Sequence, residues 1–194
     1  MQSVLARAVS ILGHPMVVLP LAALVLAART MASAQIIAMA IGFAVFAMLV
    51  MGWSWWQVRR GHWAHVDASH REERRTLNRF LLLALLCAAA IALWSGLPRA
   101  LALGLALAAS LIAMAQITAR CCKLSLHLAF VVYAAILLWQ ALPVAGMAGL
   151  LFAALVAWSR LILERHTRRD VIAGAMAGAC AGLAFAWLAP QLPA

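Results

Sequence analysis

The chain reads as long apolar runs separated by short polar clusters, and nowhere do apolar and polar residues alternate as a half-buried strand requires. Seven runs predict helices, over residues 5–28, 35–57, 79–95, 99–118, 125–141, 144–160 and 171–188. Several fall short of the ~20 residues that a straight membrane span needs. Pro98 and Pro143 stand in the connections SGLPRA and QALPVAG, where helix breakers belong. In AGAMAGACAGLA, Gly174, Gly178 and Gly182 recur every fourth residue, a spacing that predicts close packing on a neighbouring helix. The expected fold class is all-α, a polytopic transmembrane helical bundle of about 6–7 spans. No repeat or linker divides it, so a single integral membrane domain over 1–194 is expected.

Composition agrees with that pattern. Hydrophobic residues make up 68% of the chain and charged residues 10%, with a mean hydropathy of +1.02. A soluble domain of this size cannot hide so much apolar surface. The net charge of +10 does not point to nucleic acid in such a chain. It points to loop arginines that fix orientation, touch lipid head groups or bind an anionic substrate. Cys87, Cys121, Cys122 and Cys180 show no metal-ligand spacing and read as small core residues.

Seven spans place the connections on alternating sides. The N-terminus, 58–78, 119–124 and 160–170 share one side, and 29–34, 96–98, 142–143 and the C-terminus share the other. All five acidic residues, Asp67, Glu72, Glu73, Glu164 and Asp170, fall on the first side or at its edge. On the second side the basic residues are Arg29 and Arg99. The positive-inside rule accounts for the arginines and turns the first side toward the cytoplasm. It does not account for the histidines and acids gathered with them.

Three clusters carry that chemistry. In HWAHVDASHREERRTLNRF, a helix starting at Ser69 would bring Arg71, Arg74 or Arg75, and Asn78 onto one face. The plain reading is a solvated juxtamembrane helix, and His62, His65 and His70 fit no strong metal pattern. In RCCKLSLHLAF, Lys123, Ser125 and His127 interrupt the start of an apolar helix. In SRLILERHTRRD, His166 and Asp170 lie four apart, so on a helix they share a face one turn apart. A carboxylate beside an imidazole fixes its tautomer and stabilises the imidazolium formed when the other nitrogen attacks an electrophile. Arg160 ends the preceding run beside Ser159, where a guanidinium fork suits phosphate oxygens. Together these residues form a kit for phosphoryl transfer.

The stretch Ser159 to Asp170 has the form S-R-x5-H-x3-D and resembles the third signature motif of the type 2 phosphatidic acid phosphatases, the PAP2 superfamily. LSLH, Leu124 to His127, resembles the second motif, P-S-G-H, and keeps Ser125 and His127, with Leu126 in the glycine position. The nearest match to the first motif, K-x6-R-P, is Asp67 to Arg74 followed by Arg75, without the lysine or the proline. The three clusters occur in family order, each returned to the same side by a helical hairpin, and the resemblance covers roughly residues 65 to 185 as a PAP2-like core.

The resemblance implies a membrane-embedded, metal-independent lipid phosphate phosphatase without a cofactor. His166 would be the nucleophile that forms a phosphohistidine, Asp170 would orient it, and His127 would protonate the leaving group. Arg160, Arg74, Ser125 and Ser159 would hold phosphoryl oxygens, with Arg71 or Lys123 supplying the charge of the missing lysine. The substrate would be an isoprenoid (di)phosphate, phosphatidic acid or phosphatidylglycerol phosphate, and an acceptor other than water is compatible with the same chemistry. The expected setting is a bacterial inner membrane, with the site toward the cytoplasm. The alternative is a non-catalytic membrane protein that binds anionic lipid or a partner through its basic face.

Overall fold

A computed structural model of the chain describes residues 2–66, 68 and 70–192. Among these residues the structure is entirely helical. The helices are α1 (Gln2–Leu12), α2 (Pro15–Thr30), α3 (Ser33–Arg59), α4 (Arg71–Trp94), α5 (Arg99–Ile117), α6 (Leu126–Ala141), α7 (Pro143–Ile162) and α8 (Arg168–Leu188). Five of them are long and apolar enough to cross a membrane, and the pair α1 and α2 makes a sixth span if taken as one bent element. The protein is therefore an integral, multi-pass membrane protein.

The first apolar run departs from expectation. It is not one helix over 5–28 but two, bent by 49° at Gly13-His14-Pro15. Proline fits the first position of a helix, where its missing N–H costs nothing, and it holds the preceding residue extended. His14 accordingly has φ −67° and ψ 135°, and its Nδ1 accepts from the Met16 amide at 3.2 Å, capping α2. Gly13 is required for a different reason. A Cβ there would stand 2.6 Å from Cγ2 of Val156, so the break docks directly on α7.

At the centre lies α6, hydrophobic all round and buried over most of its length, from Leu128 through Ala135 and at Leu137. Its 16 residues span only ~24 Å, less than the ~30 Å of a hydrocarbon core, because its surroundings are protein rather than lipid. It packs against α7, α8, α2 and, less extensively, α5. The glycine stripe behaves as its spacing predicts. A Cβ at Gly174 would meet the carbonyl oxygen of Ser125 at 2.6 Å, and one at Gly182 would meet Cβ of Ile136 at 2.7 Å. Tyr133, fully buried on α6, donates to the Gly104 carbonyl at 3.1 Å and ties α5 to the centre.

The other helices form a looser shell. Besides packing on α2, α3 carries Trp53, which stacks on Phe80 at 4.3 Å and meets Trp63 edge-on at 5.1 Å, and Phe46, which packs on the core. Much of its remaining surface faces outward as apolar side chains, whereas Met39, Val50, Ser54 and Gln57 are buried. Between α3 and α4 the connection is pinned by Glu73, which accepts from the Ala64 amide at 2.8 Å and the His70 amide at 3.0 Å. His70 precedes α4 as its N-cap. The expected helix start Ser69 and the motif position Asp67 lie outside the described residues.

Candidate functional site

The polar clusters converge on one end of the bundle. A cavity of about 1900 Å³ opens there and is lined at that end by Arg71, Arg74 and Arg75 of α4, Lys123 and His127 around the start of α6, Arg160 at the end of α7, and Arg165 and His166 beyond it. From this basic mouth the cavity runs between α2, α3, α4 and α5, past Leu26, Phe46, Leu81 and Leu105, to Met31 and Pro98 at the opposite end. It is wider than the ~300–1,000 Å³ of a typical small-molecule pocket. Among the described residues no carboxylate lines it, whereas eight arginine or lysine residues do.

The loop before α8 places His166. Thr167 caps α8 in a reciprocal box: its Oγ1 accepts from the Asp170 amide at 3.3 Å, and Asp170 Oδ2 accepts from the Thr167 amide at 2.9 Å. The helix thus begins at Arg168, and His166 precedes the cap instead of sitting one helical turn before Asp170. The two side chains still approach, with Nδ1 of His166 3.9 Å from Oδ2 of Asp170. The hydrogen bond at Nδ1 goes elsewhere, to the Lys123 carbonyl at 3.0 Å. A carbonyl only accepts, so Nδ1 carries the proton and Nε2 keeps a lone pair.

Asp170 acts on His166 through Lys123. Its Oδ1 accepts from the Lys123 amide at 2.9 Å and from the Cys122 thiol at 3.4 Å, while its own carbonyl accepts from the Ser125 amide at 3.1 Å. The carboxylate therefore anchors the backbone whose carbonyl sets the tautomer of His166. Burial, followed by the charges of Arg160 and Lys123, lowers the pKa of His166 to about 4. The ring is neutral near pH 7, as a nucleophile must be. Burial, then the neighbouring charges of Arg74 and Arg160, also lowers the pKa of Lys123, whose Nζ donates to the Arg165 carbonyl at 2.8 Å.

Compared with known proteins, the chain matches no family model, no curated protein and no solved structure. The site is accordingly judged on its own geometry.

Of the residues expected from the sequence, Arg71, Arg74, Lys123, His127, Arg160 and His166 share the cavity wall. Arg71 also reaches the Ala119 carbonyl at 3.5 Å. Asp170 stands behind the wall in the role just described. Ser125 and Ser159 are fully buried outside it. The Ser159 hydroxyl donates to the Val156 carbonyl of its own helix at 2.8 Å. The Ser125 hydroxyl, on a residue whose backbone packs against Gly174, has no partner. His62 meets Oε1 of Gln57 at 3.1 Å, and among the described residues no three His, Cys, Asp or Glu side chains gather as metal ligands would.

Three further residues reach the site from the bent N-terminal pair. Nη1 of Arg160 donates to the Ser10 hydroxyl at 2.8 Å, and the rings of His14 and His127 meet edge-on with centroids 5.1 Å apart. Arg7 lines the same cavity. The signal was present in the sequence: Arg7, Ser10 and His14 follow the i, i+3, i+7 spacing of one helical face, just before the breaker Gly-His-Pro.

Proposed function

We propose that this protein is a membrane-embedded lipid phosphate phosphatase similar to the PAP2 superfamily, acting on a phosphomonoester or diphosphate whose hydrocarbon tail lies in the apolar part of the cavity. One observation carries the reading. Arg74, Lys123 with His127, and Arg160 with His166 come from three separate segments and line one basic cavity that continues into an apolar groove.

The geometry supports a two-step transfer. The lone pair on Nε2 of His166 attacks the terminal phosphorus and forms an N–P bond as the P–O bond to the leaving lipid alkoxide, or lipid phosphate in a diphosphate, breaks. His127, at the cavity wall, passes a proton to the leaving oxygen. Water then attacks the phosphohistidine, His127 takes up a proton from it, and the N–P bond breaks to free inorganic phosphate and neutral His166. Arg160, Arg74 and Lys123 hold the charge that develops on the phosphoryl oxygens. Ser125 and Ser159, buried outside the cavity wall, are left supporting the backbone instead of contacting phosphate.

The groove accounts for the lipid. Along α2 alone it follows 16 residues, or ~24 Å, which accommodates a long isoprenoid or acyl chain of an isoprenoid phosphate, phosphatidic acid or phosphatidylglycerol phosphate. The concentration of arginine at the site end supports a cytoplasmic orientation for that end, in a bacterial inner membrane.

Phosphate release from these lipid phosphates in detergent with EDTA, comparing the wild type with His166→Ala, tests the proposal. Release that survives EDTA and vanishes in the variant supports it. Undiminished release by His166→Ala removes the assigned nucleophile. Lipid binding without release from any substrate returns the protein to a non-catalytic role at anionic lipid.

A further inference from the structure

We propose that the bent N-terminal pair α1–α2 builds a second anion subsite, in which Arg7 and His14 bind the lipid-linked phosphoryl group of a lipid diphosphate while the distal group lies at His166. The inference rests on the reading of the cavity as a lipid phosphate site.

Four observations converge on it. First, Arg7 and His14 line the same cavity as His166, although they belong to none of the three clusters that supply the rest of the site. Second, the pair is fastened to the machinery at two points. Ser10 accepts from Arg160, and the His14 ring stands edge-on to His127. Gly13, which would clash with Val156 through any Cβ, brings the break close enough for both contacts.

Third, the protonation of His14 follows from its cap. Its Nδ1 accepts from the Met16 amide, so the proton of the neutral ring resides on Nε2, which is left as a donor to an anionic oxygen. Fourth, the charge exceeds what one phosphate needs. A phosphomonoester carries about two negative charges near neutral pH. The cavity presents eight arginine or lysine residues, of which Arg75 meets Glu72 at 3.2 Å. Nε of Arg160 is buried without a partner, a donor awaiting an acceptor. A second phosphoryl group adds both charge and acceptors on the side where Arg7 and His14 stand.

Binding of farnesyl diphosphate and farnesyl monophosphate, measured by calorimetry in detergent on protein carrying His166→Ala to prevent turnover, tests this. The background binds the diphosphate more tightly than the monophosphate. Adding Arg7→Gln or His14→Gln weakens the diphosphate about tenfold, the loss of one hydrogen bond to a charged group, and changes the monophosphate less than about twofold. Thermal unfolding of each variant within the error of the background shows that the fold is intact. Equal loss for both ligands makes the pair a support for Arg160 and overturns the proposal, as does no loss for either. Phosphate release by the wild type is scored separately. Differential binding without release keeps the subsite and removes the phosphatase, and release without differential binding does the reverse.

Discussion

Replacing Asp170 by asparagine removes one acceptor from a carboxylate that has none to spare. Oδ1 serves the Lys123 amide and the Cys122 thiol, and Oδ2 serves the Thr167 amide. Asparagine keeps one oxygen, so in either orientation its amide nitrogen faces a backbone N–H, donor against donor. A donor left unsatisfied in a buried site costs ~1–3 kcal/mol, and turning the surviving charged bond into a neutral one costs about 1 more. A loss of roughly 2–4 kcal/mol corresponds to a fall in melting temperature of roughly 5–10 °C for a chain of this size. The change also loosens Lys123, whose carbonyl fixes Nδ1 of His166, and a misplaced nucleophile costs on the order of a hundredfold in rate. Thermal unfolding in detergent and phosphate release, measured on the same preparation, read the two effects. Wild-type stability in Asp170→Asn would refute the double clamp. Lowered stability with an unchanged rate would refute the link from Asp170 through Lys123 to His166.

Three further outcomes follow from the same structure. With His166 held at about pKa 4, kcat/KM falls only as pH drops through that value, where Nε2 is protonated; Lys123→Met removes a neighbouring positive charge and moves this acid limb upward, so a pH profile with an unmoved or lowered limb contradicts the assignment. Gly178→Ala drives a Cβ into the Ala129 carbonyl oxygen, a backbone atom that cannot step aside; overpacking of this kind costs ~1–3 kcal/mol, whereas Gly42→Ala, with nothing within 4 Å, leaves the melting temperature unchanged or raised. Thr167→Ala removes the hydroxyl that accepts from the Asp170 amide and lowers stability by ~1 kcal/mol, while the rate falls less than in Asp170→Asn because the Lys123 anchor survives; an equal fall in rate would mean that the cap, not the carboxylate, positions His166.

The helices were legible in the sequence because apolar runs bounded by Pro98, Pro143 and charged clusters leave a chain in lipid no other way to satisfy its backbone. The glycine stripe on α8 was legible for the same kind of reason, since every fourth position shares one face and a missing Cβ there admits a backbone. Two features were misread. The bend at Gly13-His14-Pro15 was absorbed into one apolar run, because hydropathy averages over the breaker that ends α1. The burial of α6 at the centre was missed, because its 16 residues are as apolar as those that face lipid. Hydropathy does not distinguish lipid from protein as the neighbour of an apolar side chain.

The site shows where spacing stops being informative. His166 and Asp170 at i, i+4 meet on a face only inside a helix, and Thr167-Arg168-Arg169-Asp170 is itself a capping sequence that starts the helix after His166. The structural and functional readings of Asp170 are then not rivals. The box that caps α8 holds one carboxylate oxygen, the other is free to anchor Lys123, and the Lys123 carbonyl leaves His166 with its lone pair on Nε2. A pattern of four residues in one segment thus needs a fifth, from a loop more than forty positions earlier, to set the tautomer of His166. His14 makes the complementary case: its neighbours in sequence are apolar, and only the bend that carries it to His127 gives it a place in the chemistry. Chemistry-bearing residues in such a chain are better sought at the breaks in its apolar runs than in its charged loops alone, since a break is where a buried helix can bring a polar side chain to the mouth of a cavity.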